Sequence, residues 1–279
     1  MAESPFDSPG AVLTTGSNSG IGLATVVELA RRGYRSIGSV RSDAKSEVVH
    51  AAADEAGVDI ETVRLDVTDE DRCIEVLGEL APLYGVVNNA GIGGAGAIED
   101  VSDDEARQMF ETMLLAPMRL ARLALPGMRE AGRGRIINVS SIYGRFTTPL
   151  TGWYQAAKHG LEAASDALRM EVASDGIDVV LVEPGGFKTG IWDDLDRDVE
   201  QRSDSRYADA YERAQTLQRL AARLMGEPER VARVIGDALD ARSPRARYLV
   251  GIDARAAVTV DSLTITALKD LVRRRVLGL

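Results

Sequence analysis

Short apolar runs recur along this chain, each followed by enough residues for a helix, and that alternation narrows the available folds more than any other feature. The runs are Ala11-Val12-Leu13-Thr14, residues 36–40, residues 60–65 ending at Asp66, Val86-Val87, residues 135–139, residues 178–182 and Tyr248-Leu249-Val250. Apolar spacing between them predicts helices over 21–32 (stopped by Gly33), 44–56, 103–131, 153–174 and 228–241. Parallel strands need crossovers of about a dozen residues or more, whereas antiparallel neighbours can be joined by two. The expected fold class is therefore α/β, a doubly wound parallel sheet covered by helices on both faces.

At 279 residues the chain suits one domain with its own core. Residues 1–10 read as a flexible tail. The rhythm breaks over 187–226, where Trp192, Leu195, Tyr207, Tyr211 and Leu217 mix with many charges; this is expected to be a helical lid within the domain, the alternative being a solvated helix pair. An amphipathic helix over 263–276 ends the chain, carrying Arg273-Arg274-Arg275; it packs on the domain or a subunit, or touches a membrane surface peripherally. Pro117 is expected to kink or open the helix over 103–131.

Several function classes are disfavoured. A net charge of −10 repels nucleic acid. One cysteine, Cys73, forms no intramolecular disulfide, and two histidines, His50 and His159, make no metal cluster; both are expected at the surface or an interface. No signal-like start or membrane-length apolar run is present, so a cytoplasmic setting is expected.

Thr15-Gly16-Ser17-Asn18-Ser19-Gly20-Ile21-Gly22 joins the first strand to the first helix, where helix-terminal N–H groups can receive a pyrophosphate. Its glycine spacing differs from G-x-G-x-x-G, and alone it would equally serve helix packing. Five further stretches follow in order: Asp66-Val67, Asn88-Asn89-Ala90-Gly91, Asn138-Val139-Ser140-Ser141, Tyr154-x-x-x-Lys158 and Pro184-Gly185-x-x-x-Thr189. Together these resemble the short-chain dehydrogenases/reductases over residues 11–191, which implies a Rossmann-type sheet. By that resemblance Gly16, Ser17, Ser19, Gly20, Ile21 and Gly22 hold phosphates, Asp66 and Val67 adenine, and Asn89, Ala90 and Gly91 the ribose side. Pro184, Gly185, Phe187 and Thr189 frame a nicotinamide, and the stretch 187–226 becomes a substrate lid. At the second strand's end stand Val40 and Arg41 rather than an acid, so NADP(H) is expected over NAD(H); the opposing reading makes Arg41 a solvated loop residue beside Asp43.

Tyr154 and Lys158, four apart on a helix, share one face. A free tyrosine titrates near about 10, and an adjacent lysine cation lowers that, which suits general acid–base work. Ser141 can donate to a substrate oxygen, and strand alternation sends Ser140 the other way. The family's helix asparagine, twenty-eight residues before this serine, is replaced by Met113, whose thioether cannot relay protons as an amide does. Trp153 is read as a substrate, partner or packing residue. The pocket segments 92–98 and 142–152 are mostly apolar, so the expected substrate is a hydrophobic ketone, aldehyde or alcohol. The C-terminal stretch resembles steroid- and retinoid-type members. Family likeness also implies a homo-dimer or tetramer. The rival reading is a weakly catalytic NADP(H)-binding sensor or scaffold.

Overall fold

The computed structural model describes residues 10–190, 197–222 and 225–279. Among these residues seven parallel strands form one sheet: β1 (Ala11–Thr14), β2 (Arg35–Val40), β3 (Glu61–Arg64), β4 (Gly85–Asn88), β5 (Gly134–Val139), β6 (Ile177–Pro184) and β7 (Arg247–Val250). Their spatial order is β3-β2-β1-β4-β5-β6-β7. The chain thus builds outward from β1 in one direction, returns, and builds outward from β4 in the other. Where the winding reverses, between β1 and β4, the crossovers diverge and leave a crevice at the strands' carboxyl ends.

The helices are α1 (Gly20–Arg31), α2 (Asp43–Ala56), α3 (Glu70–Leu80), α4 (Asp103–Phe110), α5 (Ala116–Ala131), α6 (Gly152–Glu171), α7 (Ala208–Ala222), α8 (Pro228–Asp240), α9 (Ile252–Leu263) and α10 (Thr266–Leu277). Neighbouring strand residues bury on opposite faces. Leu13, Val86 and Ile136 pack with Cys73, Val76 and Leu77 of α3 and Leu120, Ala124 and Met128 of α5. Val12, Val87, Ile137 and Val180 pack with Leu29 of α1 and Val231, Ile235 and Leu239 of α8. Both faces being covered, the strands carry near-continuous apolar runs rather than alternation.

Two helices, α3 and α9, are missing from the pattern the sequence predicts, and the opening expected near Pro117 takes the form of a π turn. Helix α3 was not anticipated, although Asp69 caps it by accepting from the Arg72 N–H at 3.0 Å and its apolar residues recur at helical spacing. The run over 103–131 is interrupted by a π turn at Glu111–Leu115 between α4 and α5. Pro117 has no N–H to give the carbonyl of Met113 and its ring crowds that oxygen, so the wider turn absorbs the misfit. The helix expected over 263–276 is α10, and an unexpected helix, α9, precedes it, with extended backbone at Thr264 and Ile265 between the two.

Within 187–226, α7 is pinned by Tyr211, whose hydroxyl accepts from the Ala97 N–H at 2.6 Å and donates to Asp100 at 2.7 Å. Residues 191–196, with Trp192 and Leu195, lie outside the described residues, as does the expected tail up to residue 9. No helix among the described residues is long and apolar enough to cross a membrane.

Candidate active site

The glycine turn closes the crevice on the β1 side. Gly16 and Gly20 have φ of +67° and +51°, which side-chain-bearing residues rarely adopt. A Cβ on Gly22 would lie 2.2 Å from the Gly16 carbonyl oxygen, so only glycine lets α1 start this close to the turn. Asn89 fastens the turn from β4: its Nδ2 donates to the Thr15 carbonyl at 2.9 Å, while the N–H groups of Asn89 and Ala90 donate to Thr15 Oγ1 at 3.0 and 2.9 Å. Ser19, the N-cap of α1, makes no side-chain cap, leaving first-turn N–H groups directed at the cleft.

That cleft measures about 410 Å³ and is lined by Gly16, Ser19, Gly20, Ile21, Arg41, Lys45, Asp66, Val67, Asn89, Ala90, Gly91 and Thr189. Its donor set fits an extended anion: amides at the turn, then two cations, Arg41 and Lys45, at the β2 end. Lys45 had no role in the sequence reading, though it stands four residues after Arg41. Ser17 and Gly22 are absent from the lining. Ser17 is buried, and its Oγ donates to the Thr14 carbonyl at 2.7 Å, holding the turn in shape; Gly22 serves the close packing just described.

Past Ile21, Asn89, Gly91 and Thr189 the cleft opens into a second cavity of about 340 Å³. Ser141, Tyr154 and Lys158 meet there, with Met113, Tyr143, Pro184, Gly185 and Phe187 among its walls. Lys158 Nζ donates to the Val139 carbonyl at 2.9 Å and sits 5.9 Å from the Tyr154 ring centre. Tyr143 meets the Tyr154 ring edge-on at 6.3 Å. Ser140 and Ser141 both line the cavity, and Ser140 Oγ lies close to Glu162 behind it.

The electrostatics depart from expectation. Burial holds the Tyr154 hydroxyl up at about 12, opposed by hydrogen bonding from Ser141, and burial pushes Lys158 down to about 8, opposed by the charge of Glu162. Desolvation of a phenolate thus outweighs the Ser141 hydrogen bond in the chain alone, and the neighbouring Tyr143 adds to the rise. In the chain alone Tyr154 therefore keeps its proton.

Met113 is buried in the π turn and lines the cavity, so the thioether does occupy the floor where an amide was looked for. The buried Asn88 and Asn138 are paired structurally: Asn88 Nδ2 donates to Asn138 Oδ1 at 2.8 Å, and Asn138 Nδ2 donates to Ser165 at 2.8 Å. Trp153 packs edge-on against Phe110 and donates to the Ile98 carbonyl at 3.3 Å; His159 meets the Gln155 carbonyl, and His50 meets Thr62.

Behind Ser140 lies a charge cluster that no sequence motif announces. Glu162 and Glu183 are 6% and 2% exposed, and Arg247 from β7 reaches them at 3.1 and 3.2 Å. Arg247 also holds Asp166 at 2.6 Å, and Arg145 reaches Glu183 at 3.2 Å. The cluster joins the Ser141 turn, the Tyr154 helix and the strand leading to Pro184. Burial raises Glu162 to about 7, reinforced by Glu183 and opposed by Ser140 and Arg247. A carboxyl raised in the folded state binds its proton more tightly there than in the unfolded chain, so its contribution to stability falls as pH climbs from the ordinary carboxylate range to about 7. Glu162→Gln should remove that loss. Melting curves should show the variant gaining on the native chain between pH 5 and pH 7.5; a difference constant over that window would contradict the assignment.

The chain is similar to known proteins over most of its length. The family described as short chain dehydrogenase matches residues 10–200. The uncharacterized oxidoreductase YusZ of Bacillus subtilis is 36% identical over 230 residues, covering 80% of this chain and 82% of that protein. Human retinol dehydrogenase 5 is 32% identical over 263 residues, covering 88% and 81% respectively. Among solved structures, a short-chain dehydrogenase from Streptomyces avermitilis superposes with TM-score 0.75 at 29% identity, covering 99% of this chain and 97% of its own. An actinorhodin polyketide ketoreductase variant solved with NADPH gives 0.74 at 29% identity over 86% and 94%.

Proposed function

Because the chain belongs to the short-chain dehydrogenase/reductase family, we propose that it is an NADP(H)-dependent oxidoreductase that interconverts a hydrophobic ketone or aldehyde and its alcohol. One observation carries this reading: Ser141, Tyr154 and Lys158 converge in an apolar cavity that opens directly into the glycine-turn cleft.

The glycine turn and Asn89 to Gly91 would hold the dinucleotide, Arg41 and Lys45 its 2′-phosphate, and Pro184, Gly185, Phe187 and Thr189 the nicotinamide end. When bound, that group supplies or accepts the hydride. The protein's part is the proton and the geometry. Ser141 donates a hydrogen bond to the carbonyl oxygen, and Tyr154, protonated in the buried site, delivers its proton to the same oxygen as the carbon is reduced. Lys158, fixed by the Val139 carbonyl, offsets the charge left on Tyr154. Alcohol oxidation runs the same transfers backwards. Helix α7 and its flanks act as the substrate lid.

Absorbance of NADPH, followed with a panel of steroid, retinoid, aromatic and aliphatic carbonyls, tests the proposal. Oxidation of NADPH with apolar carbonyls, at a KM well below that for polar sugars, is expected. Turnover confined to sugars, or a preference for NADH, would overturn it.

A further inference from the structure

Beyond the catalytic cavity lies a second chamber of about 370 Å³, reached past Tyr143, Thr151 and Met225, which line both. Helix α7 supplies Tyr211, Ala214 and Gln218, and α10 supplies Arg273, Val276 and Leu277. A row of aromatic rings leads into it: Tyr154 to Tyr143 at 6.3 Å, then Tyr143 to Phe146 at 5.4 Å. The row ends on a cation, with the Arg273 guanidinium 5.7 Å from the Phe146 ring centre.

Among the described residues, two cations at this end share one acid. Arg273 and Lys269 both bond to one carboxylate, Asp261, and all three side chains are largely shielded from solvent. Of the three only Arg273 lines the chamber, and because it shares its acid with Lys269 it is not matched one to one; at a mostly apolar wall a second anion gains more than it would in water. A guanidinium has five N–H donors, so the bond to Asp261 and the stacking on Phe146 leave donors for a carboxylate.

We propose that this chamber is a distal subsite, resting on the oxidoreductase reading above, and that the substrate class is an elongated oxo- or hydroxy-acid. Its carbonyl sits at Ser141 and Tyr154, its hydrocarbon body passes Tyr143, and its carboxylate ends on Arg273. The reaction remains reduction of one carbonyl by one hydride and one proton; the far carboxylate is bound without reacting.

The experiment compares a twelve-carbon ω-oxo acid, its methyl ester and hexanal as NADPH-linked substrates, together with calorimetric binding of dodecanedioate to the NADPH-loaded protein. The acid should show a KM at least tenfold below that of its ester. Arg273→Gln should bring that ratio to about one and weaken dodecanedioate binding tenfold or more. Ala214→Phe, which fills the chamber from α7, should raise the KM of both long compounds relative to hexanal. Equal KM values for acid and ester in the native enzyme, or dodecanedioate binding unchanged by Arg273→Gln, overturn the subsite. Absence of turnover with these three and with the steroid, retinoid and aromatic carbonyls overturns the oxidoreductase reading instead, and calorimetry then decides the subsite by itself.

Discussion

Replacing Tyr154 by Phe should lower turnover about a thousandfold or more, while NADPH affinity changes by less than about twofold. The cavity explains why the loss is large and confined. Tyr154 holds its proton to about 12 because the phenolate would be buried, and Ser141 stands beside it as hydrogen-bonding partner, not as a second acid of similar strength. The phenyl ring keeps its edge contact with Tyr143, and the cleft from Gly16 to Arg41 is built from other elements. Single-turnover reduction with NADPH binding measured in parallel checks this. Undiminished turnover would remove Tyr154 from the chemistry. If the native chain binds NADPH but neither it nor the variant turns over any carbonyl, the sensor reading, which draws its support from Met113, would replace the enzyme.

Arg41→Ala should weaken NADPH binding by about tenfold or more and leave NADH within about twofold, since charge-assisted hydrogen bonds to phosphate contribute on the order of 1.5–3 kcal/mol. Lys45 lines the same end of the cleft, so the double replacement Arg41→Ala, Lys45→Ala should lose more than either alone. Fluorescence titration with both cofactors is the measurement. Equal weakening of NADH and NADPH would mean that Arg41 supports the loop instead of reading the phosphate.

The sheet was legible because parallel strands buried on both faces must be apolar throughout, and Val12-Leu13 and Val86-Val87 fill opposite cores with adjacent residues. Tyr154 and Lys158 were legible because one helical turn sets them on one face, and Ser141 because it stands at the spacing of the family that the motifs resemble. Ser17 was not: its hydroxyl could serve a ligand or its own turn, and only the packed turn decides for the Thr14 carbonyl. The cluster of Arg145, Glu162, Glu183 and Arg247 was illegible for a different reason. Its members come from four elements spread over a hundred residues, and nothing local marks a charge for burial until β5, β6 and β7 lie side by side. The raised Tyr154 value in the chain alone was illegible as well, because sequence spacing gives the neighbour's charge but not the depth of the site.

A π turn spends one residue more than an α turn on a single revolution, so the turn at Glu111–Leu115 behaves as an insertion whose phase is carried by everything before it. In an uninterrupted helix each residue advances the side-chain direction by about 100°, and losing the extra residue would swing Met113 and all of α4 by that angle relative to α5. Residue identity at 113 and the length of this helix are therefore a linked pair of choices: a polar side chain placed there reaches the cavity floor only while the extra residue remains.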